Sequence, residues 1–337
     1  MTDSLLQNLP GVSLPVSAVS SRLREMWDRP GGGTGLAPSE FRASQMNLVI
    51  LLGDSTSPAQ AAQVFETAVT FAQRYPSRII VLTPEAHLPG ESPLEAKLYA
   101  QCFVGKSYRE MCCCEGLLLG YQPGNETFVE NQVSIWIETD LPVALWAHQF
   151  PVERLPLSFP NLLQSARRVV YDSAAQPLSA APPEDGADRS SWVDLAFART
   201  LPIRQSLGSL LSRFAPDLLF RGATALEVGF RPEHAAEAAS LTRWFRQALT
   251  ACRQAEKPSA VPQPIPIHTA PADSSPPLDA DYAFAWESSE GLSFSLKVDF
   301  GKGKLQVSTR LGETREAVTL PAQPLSPAAA LSEAVFF

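Results

Sequence analysis

Between Met46 and Leu82 the hydrophobic period of the chain changes twice, and this limits the possible folds more than any other feature. Met46 to Leu52 is a near-continuous apolar run of strand length bounded by Gly53, the pattern of a strand buried on both faces. Ser57 and Pro58 then supply a helix cap and a first-turn proline, after which Ala61, Val64, Phe65, Ala68 and Ala72 recur on one helical face. Arg78 to Leu82 returns as a second buried strand. A strand, a helix and a strand in this succession require a right-handed crossover in a parallel sheet. The alternation continues with a strand over 110–121 and a helix over 128–139 carrying Val129, Val133, Trp136 and Ile137 on one side. Residues 84–108 read as irregular, with a short helix near Leu94 to Tyr99. An amphipathic helix through Val16, Val19, Leu23, Met26 and Trp27 is predicted to open the chain.

Three short strings follow in fixed order. In DLPVALW, Asp140 to Trp146, an aspartate and Pro142 end one element, and the apolar residues after them are too few for a helix, so they form a buried strand. RRVVYDS, Arg167 to Ser173, is a neighbouring strand that closes on a polar pair, Asp172 and Ser173, suited to turns and caps. DLAFARTLPIR, Asp194 to Arg204, places Leu195, Ala196 and Ala198 on a helix that Pro202 must kink or restart.

Together these strings resemble the OpcA family, the glucose-6-phosphate dehydrogenase assembly proteins, in their DLPV-x-LWW, D-R-[VI]-I-x-D-S and DLAW-x-R-x-x-P-[WL]-R patterns. Pro76, Ser77 and Arg78 before one strand, and Cys114 and Glu115 inside another, extend the resemblance over roughly residues 15 to 255. The chain departs from the pattern at Ala147 and Phe197, where tryptophan is usual, and at Ile203, which is not aromatic. The resemblance implies a non-catalytic partner that binds glucose-6-phosphate dehydrogenase, promotes its active oligomer or raises its substrate affinity, and so controls the oxidative pentose phosphate pathway. It also implies that thiol control is relevant.

With 337 residues, 45% of them hydrophobic, the chain is long enough for more than one core. A net charge of -8 and a pI near 5.2 argue against nucleic acid as a general partner. No 18-residue apolar stretch and no basic region before an apolar core is present, so neither a transmembrane helix nor a secretory signal is predicted. Five cysteines, three of them adjacent, do not form the disulfide framework of a secreted domain, and a cytoplasmic location is expected.

The predicted fold class is α/β: an open, mostly parallel sheet with helices on both faces, then a helical or mixed segment and a small C-terminal antiparallel β module. The expected division is an N-terminal helix and loop over 1–40, an α/β domain over 41–175 and a helical or mixed second domain over 191–255. A proline-rich linker over 256–280 and a β module over 281–337 complete it. Alternation of Tyr282, Phe284 and Trp286, and of Phe294, Leu296, Val298 and Phe300, predicts three or four antiparallel strands with a hairpin turn at Gly301 to Lys304.

Motifs with catalytic chemistry are lacking. The run Gly31 to Gly35 has neither the Lys and Ser/Thr of a P-loop nor the strand–turn–helix setting of a dinucleotide fingerprint, and reads as linker. His87, His148, His234 and His268 share no metal-ligand spacing, and no metal or cofactor is expected. His148, Asp172 and Ser173 fall at the carboxyl edge of the predicted sheet, where open α/β sheets bind ligands. They could cap turns, or Asp172 and Ser173 could hold a small sugar phosphate or nucleotide in an enzyme or sensor, the alternative to a partner protein. Trp146, His148, Arg199 and Arg204 are candidates for the partner surface or for the scaffold, Trp146 more readily as core. Cys112, Cys113 and Cys114 alternate faces on a strand, so no vicinal disulfide is easy there; they read as core packing or as redox-sensitive thiols.

Overall fold

The computed structural model describes residues 4–28, 44–88, 92–104, 111–176, 192–214, 223–256, 267–271, 280–288 and 292–337. The glycine run at 31–35, nearly all of the 175–190 loop and most of the proline-rich linker lie outside these residues. The chain divides into two units, Met1–Leu195 with Pro327–Phe337, and Ala196–Ser326.

The first unit begins with a short helix α1 (Leu5–Asn8), strand β1 (Val12–Leu14) and helix α2 (Val19–Asp28). Strand β2 (Met46–Leu52) is buried at every position. Helix α3 (Pro58–Arg74) starts as predicted at Ser57, whose hydroxyl accepts from the Gln60 amide while the Gln60 side chain accepts from the Ser57 amide. Then come β3 (Ser77–Pro84), β4 (Leu94–Val104), β5 (Met111–Tyr121), α4 (Glu126–Trp136) and β6 (Val143–His148). The short helices α5 (Leu155–Ser158) and α6 (Pro160–Ser165) lead to β7 (Ala166–Tyr171) and β8 (Trp192–Asp194). Their sheet has the order β1-β4-β5-β3-β2-β6-β7-β8. The pairs from β5 through β8 are parallel, and β4 and β1 join antiparallel at one edge.

Helices cover both faces, because alternate strand residues are buried on each side. Val49, Leu51, Ile80, Leu82, Leu117 and Leu145 share one core with Val129 and Val133 of α4 and with Phe159 and Leu162. Leu48, Ile50, Ile79 and Leu118 on the opposite face are equally buried, as are Ala61, Phe65, Ala68 and Ala72 of α3. Each fully buried aliphatic side chain contributes about 1.5–3 kcal/mol of transfer free energy, so these two layers carry the stability of the unit.

One expectation fails here. Leu94 to Tyr99 is not a helix in an irregular stretch but the start of β4, paired with β5 from Leu94↔Tyr121 to Val104↔Met111. The local composition Leu-Glu-Ala-Lys-Leu favours a helix. Burial of Leu94, Ala96 and Leu98 against the sheet overrides that preference, since a place between β1 and β5 supplies both ladder hydrogen bonds and an apolar face. Strand β8, immediately before the predicted helix at Asp194, is a further addition.

The second unit contains α7 from Ala196 onward (the helix spans Leu195–Arg199) and α8 (Leu201–Leu211), with Pro202 restarting the helix as predicted. Strand β9 (Ala223–Phe230) and the long helix α9 (Ala235–Glu256) follow, then β10 (Ile267–Pro271), β11 (Tyr282–Ser288), β12 (Leu292–Asp299), β13 (Lys304–Leu311) and β14 (Thr314–Pro321). Strands β11 to β14 are the predicted antiparallel set. Strand β9 joins that set, pairing antiparallel with β11 and parallel with β10, which gives the order β10-β9-β11-β12-β13-β14. Strand β10 therefore lies inside the stretch assigned to a linker. The physical reason is a shared core, in which Phe245 of α9 packs on Phe284 and Trp286, with ring centroids 4.6 and 5.3 Å apart. Helix α10 (Pro327–Phe336) belongs to the first unit, where Phe336 packs on Tyr75 with centroids 4.5 Å apart. At the β12–β13 hairpin Lys302 donates to Asp299 through its amide and its ammonium, which hold that carboxyl below its usual range. The lysine at this tip is spent on its own turn.

Candidate functional site

From β2 the chain moves outward to β3 and then β5, returns to place β6 on the other side of β2, and continues to β7 and β8. The direction of winding thus reverses between β2 and β6. In open α/β sheets ligands bind beyond the carboxyl ends of the strands at that reversal, and β5-β3-β2-β6-β7-β8 is the strand order of dinucleotide-binding sheets.

At this position the chain's own backbone fills the crevice. The Gly53 amide donates to the His148 carbonyl at 2.9 Å. A Cβ on Gly53 would lie 1.8 Å from the Gln149 carbonyl oxygen, so only glycine permits this approach. Gln149 has φ 52°, the one positive φ at a non-glycine residue among the described residues, and it turns the chain back across the strand ends. Gln176 fastens the turn by donating to the carbonyls of Ala147 and Phe150, at 3.4 and 2.9 Å. The N-terminus of α3, where a phosphate would be expected to bind, is closed by the Ser57–Gln60 capping box, and Pro58 has no amide proton.

The predicted residues distribute as follows. His148, Asp172 and Ser173 come together at this edge, joined by Asp194. Ser173 donates to Asp194 through its amide at 3.1 Å and its hydroxyl at 2.7 Å, and Asp172 accepts from the Ala174 amide at 3.0 Å. These are turn and cap contacts. Burial lowers the pKa of His148 and the Asp172 carboxylate opposes that shift. Trp146 is 4% exposed, and its ring meets that of His148 edge to face with centroids 6.1 Å apart. It belongs to the core.

Arg199 and Arg204 belong to the second unit. Arg199 Nε and Nη2 both bond Glu237 Oε1, at 3.0 and 2.8 Å. Arg204 stacks over the Phe197 ring with its guanidinium carbon 3.7 Å from the centroid, so the phenyl group that stands in place of tryptophan takes part in an internal cation–π contact.

Sequence reasoning missed three arrangements. Cys113 is bonded to Cys102, directly opposite on β4, so its partner lies outside the adjacent triplet. Cys102 is exposed, Cys113 is buried, and Cys114 is buried and outside that disulfide. The signal was a cysteine in the stretch read as irregular, and it becomes visible only once β4 is recognised as a strand. Second, Arg78 forms ion pairs with Glu115 and with Glu138, and donates to the Trp136 carbonyl at 2.6 Å, all within the first unit's interior. Third, a cavity of about 540 Å³ opens at the ends of β2 and β3, lined by Asp54, Thr56, Glu85 and His87 among others. Among the described residues no group of three or more His, Cys, Asp or Glu side chains could hold a metal ion. None of the described helices is long and apolar enough to cross a membrane.

The fold and this site define an α/β protein with the strand order of a dinucleotide-binding sheet, its crevice occupied by its own backbone. Residues 68–189 match the family model described as the glucose-6-phosphate dehydrogenase subunit N-terminal domain, in agreement with the resemblance of that segment to the OpcA family. No curated protein matches the sequence. Among solved structures the chain is similar to a glucose-6-phosphate 1-dehydrogenase from Mycobacterium avium, at 10% identity and a TM-score of 0.44, over 86% of this chain and 85% of that one. It is also similar to KijD10, a 3-ketoreductase from Actinomadura kijaniata, at 8% identity and a TM-score of 0.39, over 85% and 87%. Neither likeness assigns an activity or a ligand.

Proposed function

We propose that this chain is a non-catalytic partner of glucose-6-phosphate dehydrogenase, and that it acts allosterically by stabilising the dehydrogenase's active state at the start of the oxidative pentose phosphate pathway. The observation that carries the reading is the family match over 68–189. The filled crevice supports it, because Gly53 packs against the Gln149–Phe150 backbone, Gln176 donates to the Ala147 and Phe150 carbonyls, and Ser57 and Gln60 cap the start of α3. A protein with such a site can still control an enzyme, since allostery needs only a difference in affinity for two states, about 1–3 kcal/mol. The small-ligand alternative at Asp172 and Ser173 loses support, because both Ser173 donors are spent on Asp194.

The test is a titration of the full chain into the cognate dehydrogenase, reading co-elution and the apparent KM for glucose 6-phosphate. A fall of about fivefold or more is expected. Neither co-elution nor a changed KM, in reduced and oxidised samples alike, would refute the reading.

Redox control is part of the proposal. In a cytoplasmic setting the dithiol form of Cys102 and Cys113 is the resting state. A disulfide oxidant accepts two electrons as the two thiols lose their protons and the Cys102–Cys113 bond forms, and exposed Cys102 is the accessible sulfur. Cys102→Ser should therefore abolish any difference between reduced and oxidised protein in that titration, while Cys112→Ser leaves it intact.

A further inference from the structure

We propose that the cavity at the carboxyl ends of β2 and β3 is a binding site for an uncharged sugar ring presenting a vicinal diol, either the ribose of a nucleoside or a free sugar. Its volume of about 540 Å³ falls within the range of small-molecule sites. The position is significant, because in sheets of this strand order an acidic side chain near the end of the second strand reads ribose hydroxyls. Here that strand is β3, and Glu85 follows it directly.

Two buried groups point to a ligand. Thr56 is 6% exposed, lines the cavity, and its hydroxyl has no hydrogen-bond partner among the described residues. Such a group is costly unless something binds it. Glu85, 4% exposed, uses one carboxylate oxygen to accept from the Leu6 amide at 2.7 Å, while its second oxygen makes no hydrogen bond among the described residues. The same contact builds the wall. Lys97 donates to the carbonyls of Leu6, Gln7 and Leu9 at 3.0, 3.2 and 2.8 Å, so a carboxylate and an ammonium hold opposite ends of the α1 segment, and Ser4 and Leu5 close one side of the cavity.

Charge selects the ligand class. Asp54 and Glu85 face the cavity and no lysine or arginine among the described residues lines it; Arg154 stands 3.7 Å from Asp54 on the exposed side. The helix end beside it is already capped. A phosphate would meet two carboxylates without a compensating cation, whereas two hydroxyls of a diol can donate to those carboxylates and accept from Thr56.

The experiment is calorimetric titration of the full chain with adenosine and with glucose, alongside 2′-deoxyadenosine, adenosine monophosphate and glucose 6-phosphate. Saturable binding of adenosine or of glucose is expected, and which of them binds identifies the source of the diol. Asp54→Asn and Thr56→Val should each weaken it about tenfold, as should loss of the 2′-hydroxyl if adenosine binds, since each removes a hydrogen bond to or from a charged or buried group. The phosphorylated counterpart should bind at least as weakly as those variants. Because Asp54 and Thr56 do not hold α1, both variants should keep the native circular dichroism, and ligand should slow exchange of the Leu6 amide proton in the parent protein. Absence of binding by both probes, a phosphate ester that binds as tightly as its parent, or folded variants with unchanged affinity would each overturn the proposal.

Discussion

Arg78→Met is expected to destabilise the first unit by about 3–5 kcal/mol, because it leaves Glu115 and Glu138 without the cation they surround. The magnitude follows from burial. The side chains of Arg78 and Glu115 are 9% and 2% exposed, so neither charge can turn to water when its partner is lost. Arg78 also satisfies the Trp136 carbonyl at the end of α4, linking β3, β5 and α4 through one guanidinium. Glu138, at 24%, can recover solvation, and Glu115 therefore carries most of the penalty. If so, the double variant Arg78→Met with Glu115→Gln should recover about half of the loss, since an amide is far less costly to bury than a carboxylate that has lost its guanidinium. Urea unfolding followed by exchange of β3 and β5 amides isolates this unit from the other. A single-variant loss below about 1 kcal/mol would mean that the ion pairs are solvated and contribute as surface pairs do.

The same cluster illustrates what could be read from sequence. Pro76 to Arg78 and Cys114 to Glu115 were legible as parts of a family pattern, but nothing in either string states that they touch; they meet because β3 and β5 lie side by side with Arg78 opposite Glu115. Strands with continuous apolar runs, β2, β3 and β6, were legible because burial on both faces leaves no polar alternation to misread. Strand β4 was not, because polar residues such as Glu95 and Gln101 interrupt its apolar pattern and Leu94 to Lys97 favours a helix locally. That one error hid two features: Cys102 opposite Cys113, and Lys97 reaching the α1 carbonyls. The join between β9 and β11 was hidden for another reason. Their pairing spans a proline-rich stretch, and a linker's composition does not reveal what its two ends pack against. At the carboxyl edge, His148, Asp172 and Ser173 lie together, but the contacts of Ser173 with Asp194 depend on a strand, β8, of only three residues, too short to give a period.

Gly53→Ala is expected to cost about 3 kcal/mol or more, at or beyond the upper end of ordinary overpacking, because the added methyl group would collide with main chain and not with a side chain that can rotate away. Its Cβ would stand 1.8 Å from the Gln149 oxygen, 2.4 Å from the Gln149 carbonyl carbon and 2.8 Å from the Phe150 nitrogen. Relief requires moving the 148–150 turn. That would break the Gly53–His148 hydrogen bond, strain the two contacts from Gln176 and remove the constraint that keeps Gln149 at positive φ. Gly208 supplies the contrast. It lies inside α8 with nothing within 4 Å of an added Cβ, so Gly208→Ala should stabilise by about 0.5–1 kcal/mol through helix propensity alone. Thermal and urea unfolding of the two variants should therefore shift in opposite directions; a Gly53→Ala protein as stable as the parent would show that the crevice is not filled by this turn. The substitution also bears on function: opening the crevice should leave the protein without a new dinucleotide affinity, because the capped α3 terminus and the two carboxylates beside it still reject phosphate.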